Sequence, residues 1–216
     1  MENTNSLFWE RFHKAPIVGI IRGQGMETVL NIAQAYEAAG FTSLEVTMNT
    51  AGAGLIISKL RDKFPSLTIG AGTVCSLTEL RDAIDAGSQF IVTPIITEAV
   101  IEHAVDAHIP IFPGAFTPTE IYKAWSLGAS AVKVFPATKL GVEFIKDVLG
   151  PLDQVKLLPT GGVSKANIYS FFEAGAFGVG MGSSLIDKNL VKAGDFEGLK
   201  KHFENVKAEI AEFCKE

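Results

Sequence analysis

The chain has 216 residues and a formal net charge of −5. Its 47% hydrophobic and 20% charged residues are typical of a well-packed globular protein and exclude a largely disordered one. The acidic balance argues against nucleic acid as a partner, because proteins that bind it are usually basic. The length predicts a single domain over residues 1–216, within the range of a small α/β barrel.

The first segment, MENTNSLFWERFHKAP, predicts a short amphipathic helix in which Leu7, Phe8 and Phe12 share one face. It lacks the basic head and apolar core of a signal peptide, and no apolar run in the chain is as long as a membrane span. Cys75 and Cys214 are far apart and show no metal-ligand spacing. We therefore expect a reduced, cytoplasmic protein with no membrane partner.

Eight apolar, strand-like runs follow, separated by segments of helical periodicity. This alternation predicts a parallel sheet with helical crossovers. Its count and length best fit a closed (β/α)₈ TIM barrel with an N-terminal helix. A doubly wound sheet is the runner-up, but GIIRGQG lacks the spacing of a dinucleotide-binding turn. The eight runs are 17–23, 43–48, 68–74, 90–95, 110–116, 131–136, 155–162 and 178–185.

Helix boundaries are indicated by capping residues. Ser76, Thr97 and Ser164 stand where an N-cap is expected, and Thr117 begins a capping box with proline at the first helical position. Four helices end in a small residue followed by glycine just before the next strand, which is typical of a left-handed C-cap. The recurrence predicts repeated αβ units of one design.

Lys133 lies inside the apolar run AVKVFP, which otherwise indicates a strand buried on both faces. A buried ammonium is costly unless it is paired or neutral. Burial lowers the pKa of an amine and so frees a nucleophile. Lys133 is therefore a candidate catalytic nucleophile, and the alternative is a structural ion pair with Glu45.

Glu45 lies between Leu44 and Val46 in SLEVTM, an unusual place for a carboxylate in an apolar core. Its functional interpretation is a general acid or base whose pKa is raised by the barrel interior. The alternatives are a solvent-facing edge residue or a salt bridge to Lys133.

Two glycine-rich turns, PTGGVS and GMGSSL, follow the seventh and eighth runs. Barrels commonly bind phosphate at these positions through backbone N–H groups, so the pair of turns favours an anion site over simple tight turns. In a barrel, polar and turn residues after the strands face the site. They are Arg22, Glu45, Thr47, Asn49, Thr73, Thr93, Pro94, Lys133, Thr160, Gly161, Gly162, Gly182, Ser183 and Ser184.

The four histidines are predicted in helices or before a strand, away from the strand ends that would form a site. A metal centre built on them is therefore not expected, and neither is a cofactor. Cys75 follows the third strand, where a small residue starting a helix is the simplest interpretation.

Together these motifs resemble the 2-keto-3-deoxy-6-phosphogluconate (KDPG) and 4-hydroxy-2-oxoglutarate (KHG) aldolase family, over nearly the whole chain. The resemblance rests on SLEVTMNT, IGAGTV, FIVTPIITE, PIFPGAFTPTE, AVKVFPA, LPTGGVS and GMGSSL. It implies a (β/α)₈ barrel, a homotrimer, and a lyase of the Entner–Doudoroff route that releases pyruvate and glyceraldehyde 3-phosphate from a 2-keto-3-deoxy sugar acid phosphate.

The resemblance also implies residue roles. Lys133 would form the Schiff base, and Glu45 would move protons. Thr73 and Pro94 would line the pyruvyl site, with Phe135 as an apolar wall. The residues that would hold the substrate carboxylate or phosphate are Thr160, Gly161, Gly162, Gly182 and Ser183.

One position departs from the family pattern. Some members have arginine where this chain has Asn49, and Arg22 at the end of the first strand is the only obvious guanidinium near the barrel mouth. Arg22 would then recognise the anion, as in galactonate-type aldolases. The gluconate or galactonate preference at C4, and cleavage of 4-hydroxy-2-oxoglutarate to pyruvate and glyoxylate, therefore stay open.

Two rival functions are weighed against the aldolase. A metal-dependent sugar-phosphate epimerase on the same barrel would need His and carboxylate ligands at the strand ends, which this chain lacks. A non-catalytic sugar-phosphate binding barrel would use Lys133 and Glu45 only as a buried ion pair.

Overall fold

A barrel of parallel strands surrounded by helices forms the centre of the computed structural model, which describes residues 2–215 and side chains from Leu7 onward. Met1 and Glu216, the ends of the predicted 1–216 domain, lie outside the described residues. The strands are β1 Ile17–Ile21, β2 Ser43–Thr47, β3 Thr68–Gly72, β4 Ile91–Val92, β5 Ile111–Phe112, β6 Gly114–Ala115, β7 Val132–Val134, β8 Leu157–Pro159 and β9 Val179–Met181.

Helices precede, separate and follow the strands, and those between successive strands pack outside the barrel, as the alternating sequence pattern predicts. They are α1 Glu2–Lys14, α2 Met26–Ala38, α3 Ala53–Lys63, α4 Leu77–Asp85, α5 Glu98–Asp106, α6 Pro118–Ser126, α7 Ala137–Leu149, α8 Ile168–Glu173, α9 Lys188–Ala193 and α10 Phe196–Ala208, followed by a 3₁₀ turn at Ala211–Phe213. None of the helices within residues 2–215 combines the length and apolarity needed to span a membrane.

The strands form two hydrogen-bonded groups, in the orders β5-β4-β3-β2-β1-β9 and β6-β7-β8. Pro113 separates β5 from β6, so these are two halves of one barrel strand; the first half pairs with β4 and the second with β7. Thr160 and Gly180 form a parallel bridge that joins β8 to β9. The result is the predicted eight-stranded closed barrel, with an N-terminal helix.

Glycine forms the predicted left-handed turns at the helix ends. Gly40, Gly87, Gly128 and Gly175 all have φ between 78° and 96°. The turn after α5 has the same conformation without glycine, since His108 adopts φ 57°.

The capping predictions are confirmed in part. Thr117 forms the complete capping box with Glu120, and the Ser76 hydroxyl accepts a hydrogen bond from the Glu79 N–H. Thr97 is the N-cap of α5 by position, but its hydroxyl donates to the Cys75 carbonyl instead of capping the helix. Ser164 is not an N-cap, because turns occupy the next residues and α8 begins only at Ile168.

The hydrophobic core is divided into two clusters. The larger lies between the strands and the outer helices, while the smaller fills the barrel interior. Phe8 and Phe12 of α1 belong to the interior cluster and pack against Phe90 and Phe112. Leu7 is exposed, so the predicted face of three residues is wrong at that position. Helix α1 thus closes the amino end of the barrel with aromatic rings and leaves the carboxyl end for a site.

Candidate active site

Lys133 is the middle residue of β7 and is 5% exposed. Its backbone N–H donates to the Pro113 carbonyl, which fixes the strand beside the β5–β6 interruption. Its Nζ lies 4.8 Å from the centroid of the Phe135 ring. The amine is therefore held inside the barrel, in contact with an aromatic face.

Glu45 lies in β2 with 1% of its surface exposed. In the register of the sheet it is opposite Ile20 on one side and Gly70 on the other. A Cβ atom at Gly72 would collide with the Glu45 carboxylate, so glycine at position 72 leaves the space in which that carboxylate lies. The Glu45 Oε2 atom has no hydrogen-bond partner among the described residues.

Lys133 and Glu45 are both buried, and each affects the pKa of the other. Burial raises the pKa of Glu45 to about 7, against the opposing effect of the positive charges of Lys133 and Arg22. Burial also lowers the pKa of Lys133, and Glu45 partly offsets that change. Both shifts favour a neutral amine beside a carboxyl group that titrates near neutral pH.

The predicted alternative of a structural ion pair is not what the geometry shows. The ion pairs found among residues 2–215 lie on the surface and do not include one between Lys133 and Glu45 within 4.0 Å. The amine and the carboxyl group are thus near enough to affect each other's pKa without forming a closed salt bridge.

A cavity of about 830 Å³ opens over Lys133 at the carboxyl ends of the strands. It brings together most of the residues that the sequence analysis singled out. The predicted residues that line it are Arg22, Lys133, Phe135, Thr160, Gly161, Gly162, Gly182, Ser183 and Ser184.

Arg22 is held at the edge of this cavity by the loops after β1 and β2. The N–H of its neighbour Gly23 donates to the Thr50 hydroxyl over 3.0 Å, and Thr50 in turn is 3.1 Å from the Thr47 hydroxyl. Asn49 is exposed in the second of these loops. The backbone next to Arg22 is therefore fixed by a hydrogen-bonded connection between two strand ends, while its side chain is exposed.

The two glycine-rich turns face the same cavity. Gly161 and Gly162 have φ of 83° and 84°, a conformation that suits glycine. The Asn167 side-chain amide donates to the Gly162 carbonyl, and the Ser184 hydroxyl donates to the Val163 carbonyl. These bonds connect the turn after β8 to α8 and to the turn after β9.

Thr73, Pro94 and Glu45 are predicted site residues that do not line the cavity itself. Thr73 directly follows Gly72, whose Cα faces the Glu45 carboxylate, and adopts φ 57°, which is strained for a β-branched residue. The Pro94 backbone lies against Gly114, the register partner of Lys133. The structure therefore places Thr73 near Glu45 and Pro94 near Lys133, at the ends of β3 and β4.

Cys75 is part of the start of α4, as its simplest interpretation predicts. Its N–H donates to the Glu79 carboxylate over 2.7 Å, and its Sγ lies 3.7 Å from the Thr73 carbonyl oxygen. Burial and Glu79 raise the pKa of its thiol, although the positive charge of Lys133 opposes this. Within residues 2–215, no three His, Cys, Asp or Glu side chains are grouped as a metal site.

Several lining residues were missed by the sequence analysis. Lys188 and Lys192 of α9 are the charged ones; their spacing of four residues places them on one helix face but does not show that this face points at the cavity. The others are uncharged, namely Ile20, Ile21, Gln24, Thr28, Val163, Gly180, Ile186 and Val191.

Comparison with known proteins gives a consistent result. The family model described as KDPG and KHG aldolase matches residues 9–202. A KHG/KDPG aldolase of Escherichia coli K12 is 33% identical over 187 residues, which are 86% of this chain and 88% of that protein.

Solved structures agree with this match. One described as native KDPGal superimposes with a TM-score of 0.86 and 30% identity, covering 93% of this chain and 96% of the other. A KDPG aldolase from Legionella pneumophila, with pyruvate captured as a covalent carbinolamine intermediate, gives 0.83 and 28% identity over 94% and 97% of the two chains.

With these relatives, the barrel and its buried lysine and carboxyl groups define an aldolase of class I, a lyase. More particularly, the chain belongs to the KDPG and KHG aldolase family.

Proposed function

We propose that this protein cleaves 2-dehydro-3-deoxy-6-phosphogluconate to pyruvate and glyceraldehyde 3-phosphate through a Schiff base on Lys133. The observation that carries the proposal is a buried lysine without an ion pair among the described residues, at the floor of an 830 Å³ cavity and near Glu45. Residues 1–216 would act as one aldolase domain with no cofactor.

Lys133 acts as the nucleophile. Its neutral amine attacks the C2 ketone carbon to form a carbinolamine, and loss of water gives an iminium. When the C3–C4 bond breaks, its electron pair moves toward the iminium and forms an enamine. The lowered pKa of Lys133 supports this role, because only the neutral amine has the lone pair that attacks.

Glu45 acts as the acid and base. Through a water molecule it takes the proton of the C4 hydroxyl as the bond breaks and glyceraldehyde 3-phosphate leaves, and it later returns a proton to C3 of the enamine. Water then hydrolyses the resulting iminium, which releases pyruvate and regenerates the Lys133 amine. A pKa of about 7 allows both directions near neutral pH. Glu45 does not line the cavity, which is consistent with a water molecule between its carboxyl group and the substrate.

The remaining site residues position the substrate. Thr73 and Pro94 flank the pyruvyl end, and Phe135 forms its apolar wall. The backbone N–H groups and hydroxyls around the two glycine-rich turns hold anionic groups. Those residues are Thr160, Gly161, Gly162, Gly182 and Ser183.

The galactonate-type reaction, on 2-dehydro-3-deoxy-6-phosphogalactonate, is the second candidate. Two observations favour it. Arg22 lines the cavity, while Asn49 stands where some family members have arginine. The native KDPGal structure is also among the similar solved structures. Cleavage of 4-hydroxy-2-oxoglutarate to pyruvate and glyoxylate is compatible with the same chemistry.

A substrate panel tests these proposals directly. Pyruvate release is followed by coupling to lactate dehydrogenase, with the gluconate epimer, the galactonate epimer and 4-hydroxy-2-oxoglutarate as substrates. We expect the highest kcat/KM with the gluconate epimer. A preference of tenfold or more for either other substrate would assign the enzyme to that reaction.

We also propose a homotrimer located in the cytoplasm. Exposed apolar side chains on adjacent βα units support an assembly, namely Ile95, Phe116 and Tyr122. Helices α5 and α6 of these units are joined by the Lys123–Glu98 ion pair. Sedimentation velocity would give about three times the monomer mass of 23.1 kDa, and a monomer at micromolar concentration would refute the assembly.

A further inference from the structure

One face of the short helix α9 is directed at the active-site cavity. Lys188, Val191 and Lys192 all line the cavity, and their spacing of three and four residues places them on a single helical face. The helix follows the turn that contains Ser183, so it forms the outer wall beside the proposed anion site.

The charges around the cavity are all of one sign. Besides the Lys133 amine, its lining includes three cationic side chains, Arg22, Lys188 and Lys192, and no Asp or Glu among the described residues. This is notable in a chain whose net charge is −5. The nearest carboxylate along α9, that of Asp187, accepts hydrogen bonds from the Asn189 and Leu190 N–H groups as the helix N-cap.

The two lysines of α9 are exposed and are not engaged elsewhere. Neither belongs to an ion pair found within residues 2–215. Long lysine side chains at a cavity edge are mobile point charges that attract an anion without a fixed geometry. Both lysines line the same cavity as Lys133, so they are accessible to a substrate that occupies it.

We propose that Lys188 and Lys192 are specificity-determining residues that select substrates with a phosphate at the end opposite the ketone. This rests on the proposed function, in which Lys133 holds the ketone end of the substrate. A phosphate carries more negative charge than a hydroxyl and gains most from two nearby ammonium groups. The lysines therefore act on substrate capture and leave the chemistry at Lys133 unchanged.

The test is steady-state kinetics of Lys188→Gln/Lys192→Gln with 2-dehydro-3-deoxy-6-phosphogluconate and with its unphosphorylated analogue. We expect KM for the phosphorylated substrate to rise about five- to twentyfold, with kcat within about twofold. KM for the unphosphorylated analogue should stay within about twofold. In 0.5 M NaCl the difference between variant and native enzyme should shrink, because salt screens exposed charges.

Two controls separate charge from structure. Lys188→Arg/Lys192→Arg keeps both charges and should restore most of the native KM. Lys59→Gln removes one charge from an exposed position of α3 that does not line the cavity, and it should leave KM unchanged.

Failure of this inference can be distinguished from failure of the proposed function. If the double variant traps pyruvate with borohydride like the native enzyme but shows an unchanged KM for the phosphorylated substrate, the selection role is wrong and the aldolase assignment stands. An equal rise in KM for both substrates also overturns the selection role. If the native enzyme traps no pyruvate, the proposed function fails and the inference falls with it.

Discussion

Lys133 combines deep burial with the absence of a salt bridge to Glu45. A structural lysine in such a place would need a close carboxylate to offset the cost of desolvation. A nucleophilic lysine benefits from the opposite arrangement, because burial keeps its amine neutral. The geometry around this residue thus favours chemistry over stability.

Substitution of this amine separates the two roles. Lys133→Met keeps most of the side-chain volume and removes the nitrogen. We expect kcat to fall by at least about 10³-fold, as for loss of a covalent nucleophile, and the midpoint of thermal unfolding to stay equal or rise. Coupled assays and calorimetry measure both. Residual activity above a tenth of native would contradict the assignment.

The raised pKa of Glu45 predicts that the stability of the protein falls as the pH rises. Burial raises its pKa from 4.5 to about 7, so the folded protein holds this proton more tightly than the unfolded chain does. Its contribution to stability is therefore full below about pH 4.5 and is lost as the pH rises to about 7. Glu45→Gln mimics the protonated acid and removes this dependence.

We expect native stability to fall relative to Glu45→Gln by roughly 1–3 kcal/mol between pH 4.5 and pH 7, and then to level off. Urea unfolding at several pH values measures the difference. Glu120→Gln is a control for which stability should depend on pH in the opposite direction. The N–H groups of Phe116 and Thr117 lower the pKa of Glu120, so its stabilising contribution is lost as the pH falls. If the stability difference between the native protein and Glu45→Gln does not change with pH, the pKa of Glu45 is not raised.

At the scale of single elements, strand β3 shows how a small residue supports the site. Gly72 has no side chain where the Glu45 carboxylate lies, and the atoms that a Cβ would meet belong to the end of that flexible side chain. An added methyl group would therefore move the carboxylate more than the strand.

For Gly72→Ala we expect kcat to fall at least about tenfold, since a displaced general base loses its alignment, while stability falls by about 1–3 kcal/mol. Gly54→Ala is the matched control in α3, where the new Cβ meets only the Ala86 methyl group at 3.7 Å. It should leave kcat unchanged. Native kcat in Gly72→Ala would show that the position of the carboxylate is unimportant.

The ends of helices could be predicted from the sequence where neighbouring residues alone determine them. The Thr117 capping box and the glycines after four helices depend on neighbouring residues only, and both are confirmed. The prediction that α8 begins after Ser164 was wrong. The Ser164 carbonyl accepts hydrogen bonds like those of a helix N-cap, but residues 165–167 form turns and the helix begins at Ile168. The orientation of α9 depends on packing, so its lysines could not be assigned to the cavity from spacing alone.

Over the whole molecule, the barrel has two ends with different contents. Aromatic side chains from α1 fill the amino end, with the Phe12 and Phe177 rings stacked at 5.6 Å. The carboxyl end holds glycines, hydroxyls and cations around a cavity. Lys133 and Glu45 were predictable because a charge inside an apolar strand is visible in the sequence. The exposure of Leu7 could not be predicted from the sequence, because it depends on how α1 packs against the barrel.

The aromatic end should contribute stability and not catalysis. Phe12→Ala removes a fully buried ring and should destabilise the protein by about 3–5 kcal/mol. Leu7→Ala on the same helix changes an exposed side chain and should cost within about 0.5 kcal/mol. Denaturant unfolding compares them. A cost below about 1 kcal/mol for Phe12→Ala would contradict the role of α1 as a barrel closure.

The most direct test of the account is reduction with borohydride in the presence of pyruvate, followed by mass mapping of peptides. The account predicts a reduced pyruvyl adduct on the peptide that contains Lys133, formed only when pyruvate is present and absent in Lys133→Met. Absence of any adduct, or an adduct on another lysine, would contradict the Schiff-base mechanism and leave Lys133 a structural residue.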